Sequence, residues 1–335
     1  MPFFVVHIFP GCATLLLSAW AHMSTVQCTS TSQHYTSNFR LWLAFCIKQN
    51  INLTNIEHWH VVAFIQLLNQ SRLSFNTILS YMSAIKHNLN KFGYSTSPFQ
   101  HPLVLQMLKS CAHNIAAPIT VKVIFDVPLM HSIIQTTLSL PNGPIYASLF
   151  LLSFHGFFRI SNLVPPSAKS FSITKHLARG DIIFAPPGAH VVLKWSKTIQ
   201  NRAGRIIQLS AVPGSPLCPI AALNRFLAVN PAHPNQPFFS TASLPQGTAT
   251  QYSTRQVLKT VLQLLAINPS SASFHTFRHS GATLAFQLGV PLHHIQAHGT
   301  WQSDAIWTYL STATTNVVPN AFAAHISTIP PSSHN

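Results

Sequence analysis

Apolar residues recur every three to four positions along most of this 335-residue chain, and this spacing constrains the fold more than any other feature. Residues at that spacing share one face of an α-helix. The pattern runs through FRLWLAFCIKQN, INLTNIEHWHVVAFIQLLNQ, SFNTILSYMSAIKHNLNKFG and HPLVLQMLKSCAHNI. Thr54 and Ser74 are predicted helix N-caps, and Gly93 is a predicted C-cap. The sequence therefore predicts an α-helical domain over residues 33–116.

The hydrophobic period changes in the middle of the chain. The segments DIIFAP, HVVLKW and RIIQLS are short and rich in Val and Ile, and they are separated by PPG and NRAG. This pattern predicts a small antiparallel sheet with a hairpin between Trp195 and Arg205. Helical periodicity precedes it in VPLMHSIIQTTLSL and returns in CPIAALNRFLAV. The fold class is thus mainly α with a small antiparallel β-sheet, with a second domain over 117–325 and a tail over 326–335.

The charge balance is strongly basic. The chain has 19 Lys and Arg residues against 4 Asp and Glu, a net charge of +15. The basic residues are spread from Arg40 to Arg278 and form no continuous run, which favours a folded basic surface over a disordered arm. Such a surface fits an acidic partner, either a nucleic acid or an anionic membrane. The alternative interpretation is that the low charged fraction reflects unusual codon usage.

The N-terminal segment 1–32 is left unassigned. MPFFVVHIFPGCATLLLSAWAHMS resembles the apolar region of a signal peptide, but it lacks a basic start and Pro10 interrupts it. An extended start, with Met23 as a second initiator, explains the segment equally well. A secreted or membrane-associated protein remains the last-ranked hypothesis, and no membrane partner is predicted.

Cysteine and histidine spacing predicts neither disulfides nor a metal site. The five cysteines are scattered without a CxxC pair, which favours a reducing compartment. The 20 histidines show no metal-ligand spacing such as HExxH.

Four short motifs follow one another along the predicted second domain. HGFFRISNL contains Arg159, WSKTIQ contains Lys197, HTFRHSGAT contains His275 and Arg278, and HGTWQSDAIWTYL ends just past Tyr309. With LCPIAAL between the second and third motifs, this set resembles the tyrosine recombinases of the phage-integrase family, especially the branch carried by eukaryotic mobile elements. The resemblance covers residues 33–324: the helical half resembles the core-binding domain and the remainder the catalytic domain.

The resemblance implies DNA strand breakage and rejoining through a 3′-phosphotyrosyl intermediate, without metal, ATP or any cofactor. Arg159 and Arg278 would neutralise the phosphate, since a guanidinium presents a planar fork of donors to phosphate oxygens. His275 would add a hydrogen bond or proton transfer. Lys197 would protonate the leaving 5′ oxygen. Tyr309 would be the nucleophile, which needs alignment because a phenol has a pKa near 10.

Local signals favour this placement. His275 and Arg278 are three residues apart and so share a helix face. Ser273 is the predicted N-cap of their helix, Gly289 and Pro291 separate it from the next helix, and Ser303 is predicted to cap the final one.

Two positions depart from the family. The family's His or Trp before the tyrosine corresponds to Thr300, Trp301 or His298; Trp301 is the preferred choice. The family's acidic residue after its first arginine is Asn162 here, which predicts a looser orientation of Arg159.

Double-stranded DNA is the predicted partner of both domains, with four protomers on paired sites and an intracellular location, nuclear if the host is eukaryotic. Three other interpretations stay open: a catalytically inactive or domesticated DNA-binding remnant, a type IB topoisomerase-like activity, and purely structural roles for the site residues. The candidate phosphate contacts are Arg72, Lys86, Lys91, Lys109, Lys194, Arg202, Arg205 and Arg255.

Overall fold

A computed structural model describes residues 29–114, 123–195, 204–302, 304–307 and 310. Most of the unassigned N-terminal segment and the whole predicted tail lie outside these described residues. The chain separates into two compact units, with the division between Thr120 and Val121.

The first unit is all-helical in its described part. Trp42, Phe64 and Leu89 are fully buried at its centre, and the Trp42 and Phe64 rings meet edge to face with centroids 5.0 Å apart. Its α-helices are α1 Thr29–Lys48, α2 His58–Gln70, α3 Phe75–Lys91 and α4 Pro102–Asn114. Helix α1 packs against α3, and α2 packs against α4. Two 3-10 helices, Leu53–Asn55 and Ser97–Gln100, connect them.

Two of the three predicted helix ends in this unit are confirmed. The Ser74 hydroxyl accepts a hydrogen bond from the Thr77 N–H at 3.2 Å and caps α3. Gly93, just after α3, takes a left-handed conformation (φ +79°) that glycine adopts without strain. The prediction for Thr54 is wrong. Asn52 caps the 3-10 helix there, accepting from the Thr54 N–H at 3.0 Å, and α2 begins only at His58.

The second unit surrounds one buried helix. Helix α6, Gly143–Gly156, is apolar on all sides and almost every residue in it is buried, as expected for a helix at the centre of a domain. It contacts helices on several sides and the last strand of the sheet. The other α-helices are α5 Val127–Leu138, α7 Ile160–Leu163, α8 Pro219–Val229, α9 Gln251–Leu264, α10 His275–Gln287 and α11 Leu292–Gly299. The 3-10 helices are Ala168–Ser170, Arg179–Asp181, Pro269–Ser271 and Asp304–Ile306.

The predicted antiparallel sheet is confirmed. Its strands are β1 Ile182–Ala185, β2 Gly188–Leu193 and β3 Arg205–Ser210, in the order β1-β2-β3. Leu193 pairs with Arg205, so the chain leaves β2 and returns to β3 at the predicted hairpin. Alternate residues of β2 are buried, because successive side chains of a strand point to opposite faces.

Candidate active site

Arg278 is buried because α10 packs closely against α6. A Cβ atom at Gly281 would lie 2.2 Å from the carbonyl oxygen of Phe154, so only glycine permits this approach. The contact holds the first turns of α10 against the end of α6 and leaves Arg278 only 2% exposed. The inward position predicted for this arginine is therefore confirmed.

The Arg278 guanidinium joins three segments of the chain. Its Nη1 donates a hydrogen bond to the carbonyl oxygen of Phe157, and its Nη2 donates to the carbonyl oxygen of Gly299 at 2.7 Å. Its Cζ lies 3.8 Å from the centroid of a Trp301 ring, which is a cation–π contact. A buried cation needs such compensation, because an uncompensated charge is costly inside a protein. These partners make Arg278 a structural centre of the site.

Trp301 fits beneath Arg278 because Gly299 has no side chain. A Cβ atom at Gly299 would lie 1.7 Å from Cζ3 of the Trp301 ring. Thr300, between them, takes a left-handed conformation (φ +59°) and ends α11. The indole is 9% exposed and belongs to a small apolar cluster. The other buried members of this cluster are Phe157, Ala282, Ile295, Ile306 and Leu310.

The three residues that the sequence left open have different surroundings. Trp301 contacts the guanidinium of Arg278 through its ring face. His298 donates from Nε2 to the carbonyl oxygen of His155 at 2.9 Å and packs against the Phe157 ring. Thr300 is 4% exposed. The ring face of Trp301 therefore supports the arginine, and the assignment of the family's His or Trp to Trp301 stays a prediction.

Two partly buried histidines pack in this region. His155 donates from Nε2 to the carbonyl oxygen of Leu217 at 3.0 Å, and His298 donates to His155. Burial lowers the pKa of His298. Its hydrogen bond to the His155 carbonyl opposes this shift, and the charge of Arg278 lowers the pKa by a smaller amount. Burial likewise lowers the pKa of His155. Their positions favour a packing role.

Arg159 is the N-cap residue of the short helix α7 and follows Phe157 by two positions. Its side chain is half-buried. Its backbone N–H donates to Oδ1 of Asn162 at 3.0 Å, and the Asn162 Nδ2 donates to the carbonyl oxygen of Trp195 at 3.0 Å. Asn162 is 3% exposed. The amide thus holds the backbone of Arg159, and the looser orientation of its side chain stays a prediction.

His275 lies at the start of α10 with an exposed side chain, in contrast to the buried Arg278 on the next turn. The predicted cap of this helix is wrong: Phe274 precedes the first helical residue, and the N–H of Ser273 donates to Oγ1 of Thr276 at 2.9 Å. The predicted end of α10 is confirmed, since Gly289 is left-handed (φ +79°) and Pro291 precedes α11.

Several predicted residues lie outside the described part of the chain. These are Lys197, Arg202, Ser303 and Tyr309. The 3-10 helix Asp304–Ile306 occupies the place where the sequence predicted the start of the final helix.

The candidate phosphate contacts are mostly exposed. In the first unit all four are exposed: Arg72, Lys86, Lys91 and Lys109. In the second unit Arg205 and Arg255 are exposed, and Arg255 donates to Oε1 of Gln251 at 3.3 Å. Lys194 differs, because its Nζ lies 2.5 Å from Oδ2 of Asp181. This ion pair partly neutralises the charge of Lys194, which the sequence analysis predicted to contact DNA phosphate.

The described residues contain no group of three or more His, Cys, Asp or Glu side chains that could hold a metal ion. Among the same residues, no helix is both long and apolar enough to cross a membrane.

Similarity to known proteins is found at the level of structure. No family model matches the chain, and no curated protein matches its sequence. The XerH site-specific recombinase bound to a palindromic difH substrate matches with a TM-score of 0.60 at 14% identity, over 85% of this chain and 78% of that one. The chain has the tyrosine recombinase fold.

Two further recombination proteins share this fold. The Tn1549 transposon integrase in complex with transposon right end DNA matches with a TM-score of 0.58 at 11% identity, over 87% of this chain and 92% of that one. A lambda integrase dimer bound to a COC′ core site matches with a TM-score of 0.55 at 13% identity, over 92% of this chain and 83% of that one. Each match extends over more of the chain than either unit alone.

Sequence reasoning missed the partners of the arginines. Phe157 and Gly299 accept through backbone carbonyls, and such bonds leave no side-chain pattern in the sequence. The sequence does show Gly299 two positions before Trp301. Asn162 was noticed only as a missing carboxylate, and its bond to Trp195 joins residues 33 positions apart.

Proposed function

We propose that this protein breaks and rejoins DNA strands as a tyrosine recombinase, in the integration and recombination of a mobile element. The observation that carries the proposal is the bond from Arg278 to the carbonyl of Phe157, two residues before Arg159. This bond brings the arginine of the HxxR motif to the turn that contains the other arginine of the resemblance. The fold shared with DNA-bound recombinases supports the same conclusion.

In the proposed reaction, the Tyr309 oxygen attacks the scissile phosphorus. The bond between phosphorus and the 5′ oxygen breaks, and that oxygen takes a proton from Lys197. The phenol proton passes to a base, for which exposed His275 is our candidate. Reversal with a different 5′ hydroxyl rejoins the strand and releases the tyrosine.

The two arginines stabilise the negative charge that develops on the non-bridging oxygens. Each guanidinium has five N–H donors, and such charge-assisted bonds to phosphate are strong. Arg278 directs two of these donors to carbonyl groups, which fixes the plane of its fork before DNA binds. Fixed donors stabilise a transition state without reorganising during the reaction.

Duplex DNA is the proposed partner, and exposed cations of both units make the phosphate contacts. Phosphate contacts provide affinity and salt dependence but little sequence information. The first unit contains six Lys and Arg residues between 29 and 114 against the single acid Glu57, which suits it to a polyanion. Four protomers on paired sites complete the proposed recombination complex, in the nucleus if the host is eukaryotic.

The decisive experiment traps the covalent intermediate. Nicked duplexes with a randomised sequence allow the short strand beyond the cleavage site to diffuse away, so the protein–DNA adduct accumulates. We expect an adduct that survives detergent and disappears in Tyr309→Phe. Tyr252→Phe is the matched control, because Tyr252 is 70% exposed on α9 outside the proposed site. No adduct from the wild-type chain, or an adduct that persists in Tyr309→Phe, contradicts the proposal.

A second function, DNA binding without catalysis, is favoured by one observation. Arg278 is 2% exposed and bonds to carbonyl groups of its own chain, which is also what a purely structural arginine would do. Salt-sensitive DNA binding by the wild-type chain with no adduct on any duplex of the pool would select this function over the enzymatic one.

A further inference from the structure

The Asn162 side chain connects two segments that meet beside the proposed site. Its Oδ1 accepts from the backbone N–H of Arg159 at 3.0 Å, and its Nδ2 donates to the carbonyl oxygen of Trp195 at 3.0 Å. A further bond, from the Asn162 N–H to the Arg159 carbonyl oxygen at 2.9 Å, closes the turn. The residue is 3% exposed, so water does not readily replace these bonds.

We propose that Asn162 is a positioning residue for DNA cleavage, and that its carboxamide performs this task where a carboxylate would not. The inference rests on the proposed function. An amide accepts and donates at the same time, whereas an ionised carboxylate only accepts. A carboxylate at this position would keep the bond from Arg159 and place a second acceptor against the Trp195 carbonyl. The proposed positioning therefore depends on an asparagine at a place where the family that this chain resembles has an acidic residue.

The bond to Trp195 fixes where the Arg159 turn lies. Trp195 follows β2, which is the central strand of the sheet and is paired on both sides. Through Asn162, the Arg159 backbone is therefore joined to a residue that follows the central strand of the sheet. The Arg159 N–H bond to Asn162 orients the peptide plane before Arg159, and the bond from the Asn162 N–H to the Arg159 carbonyl orients the plane after it. Together the two bonds set the direction in which the Arg159 side chain leaves the backbone.

The expected effect is on the rate of cleavage rather than on DNA affinity. A displacement of about 1 Å at a catalytic group costs about 100-fold in rate. We expect Asn162→Ala, which loses both side-chain bonds, to form the covalent adduct about 100-fold more slowly than wild type. Asn162→Asp, which loses only the donor to Trp195, should be slowed by about 10-fold or more.

The test uses the full chain and a duplex selected from the trapping pool. Single-turnover adduct formation gives the cleavage rate, and filter binding at the same salt concentration gives the affinity, which should stay within about threefold of wild type because no phosphate contact is removed. Asn230→Ala is the matched control: the Asn230 Nδ2 also donates to a backbone carbonyl, that of Phe226 at 2.9 Å, in the same unit. We expect its cleavage rate to equal that of wild type.

The outcomes separate the inference from the proposed function. Asn162→Asp has nearly the shape of asparagine, so it remains informative if Asn162→Ala does not fold. Slow cleavage with unchanged affinity in Asn162→Asp supports the inference. Cleavage by Asn162→Asp at the wild-type rate, or a loss of rate matched by an equal loss of affinity, overturns it while leaving the proposed function intact. A wild-type chain that forms no adduct refutes the proposed function itself.

Discussion

Replacing Gly299 by alanine should displace the ring that supports Arg278. The new Cβ would lie 1.7 Å from the Trp301 ring, and ordinary contact begins at 3.4 Å, so the ring must retreat by about 1.7 Å. The backbone at Gly299 needs no left-handed conformation, so this collision is the main consequence.

The cost can be bracketed from the contacts that the ring makes. Its complete removal sets the upper bound, about 3–5 kcal/mol for truncating a buried tryptophan to alanine. Loss of the cation–π contact with Arg278 sets the lower bound, about 1–2 kcal/mol for a desolvated pair. We therefore expect Gly299→Ala to lower the free energy of unfolding by about 3 kcal/mol.

Urea unfolding of the full chain, followed by circular dichroism, measures this difference. Gly180→Ala is the control, because its new Cβ would meet Pro234 at an ordinary 3.4 Å, and we expect a change within about 0.5 kcal/mol. The double variant with Trp301→Ala isolates the cause. Once the ring is absent, Gly299→Ala should cost almost nothing. An equal cost with and without the Trp301 ring would refute the reasoning.

Three further predictions concern protonation, thiol reactivity and salt. Because burial lowers the pKa of His155 and His298 below 6.5, the unfolded chain binds these protons more readily than the folded chain as the pH falls. The free energy of unfolding should therefore decrease from pH 7 to pH 5, by at most about 1.4 kcal/mol per pH unit for each histidine, and less steeply in His298→Gln. Burial raises the pKa of Cys46 to about 11, so its thiol should resist iodoacetamide at pH 8 until the chain unfolds. Lys86→Gln and Lys91→Gln should each lower the slope of log K for DNA against log salt by about 0.9, if each removes one phosphate contact.

Each of these three predictions would be contradicted by a specific result. An unfolding free energy that rises on acidification, or an equal slope in His298→Gln, would refute the neutral histidines. Alkylation of Cys46 in the folded chain would refute its burial. Salt slopes equal to that of wild type would remove Lys86 and Lys91 from the DNA interface. Lys48→Gln, an exposed lysine outside the predicted set, is the control for net charge.

The fold was largely predictable because its signals are local. Each strand of the sheet is a short segment rich in Val and Ile between turn residues. Several long helices show their period in the sequence, whereas α6 is apolar on all sides and shows none. Ser74 was correctly predicted as a cap because the capping bond spans three residues. Thr54 was wrong because the Asn52 side chain makes the capping hydrogen bond there. Ser273 was wrong because the residue before the first helical residue of α10 is Phe274.

The candidate site was predictable only in its residue types. The HxxR spacing identified Arg278, but its partners are 121 and 21 residues away in the sequence. The same limit applies to Asn162, whose partner Trp195 lies across a strand and several turns. Long-range hydrogen bonds to backbone carbonyls depend on how the chain packs, and no side-chain pattern encodes them.

The hydrogen bonds from Arg278 to backbone carbonyls affect which residues would persist in related proteins that had lost the proposed activity. A lineage that kept only the fold would still retain this arginine, because losing it would leave the Phe157 and Gly299 carbonyls and the indole face without their shared partner. The presence of this arginine in a related protein is therefore weak evidence that the protein still catalyses the proposed reaction. Under the proposed function the exposed His275 has a chemical role, so its replacement would be a more direct sign that the activity is lost.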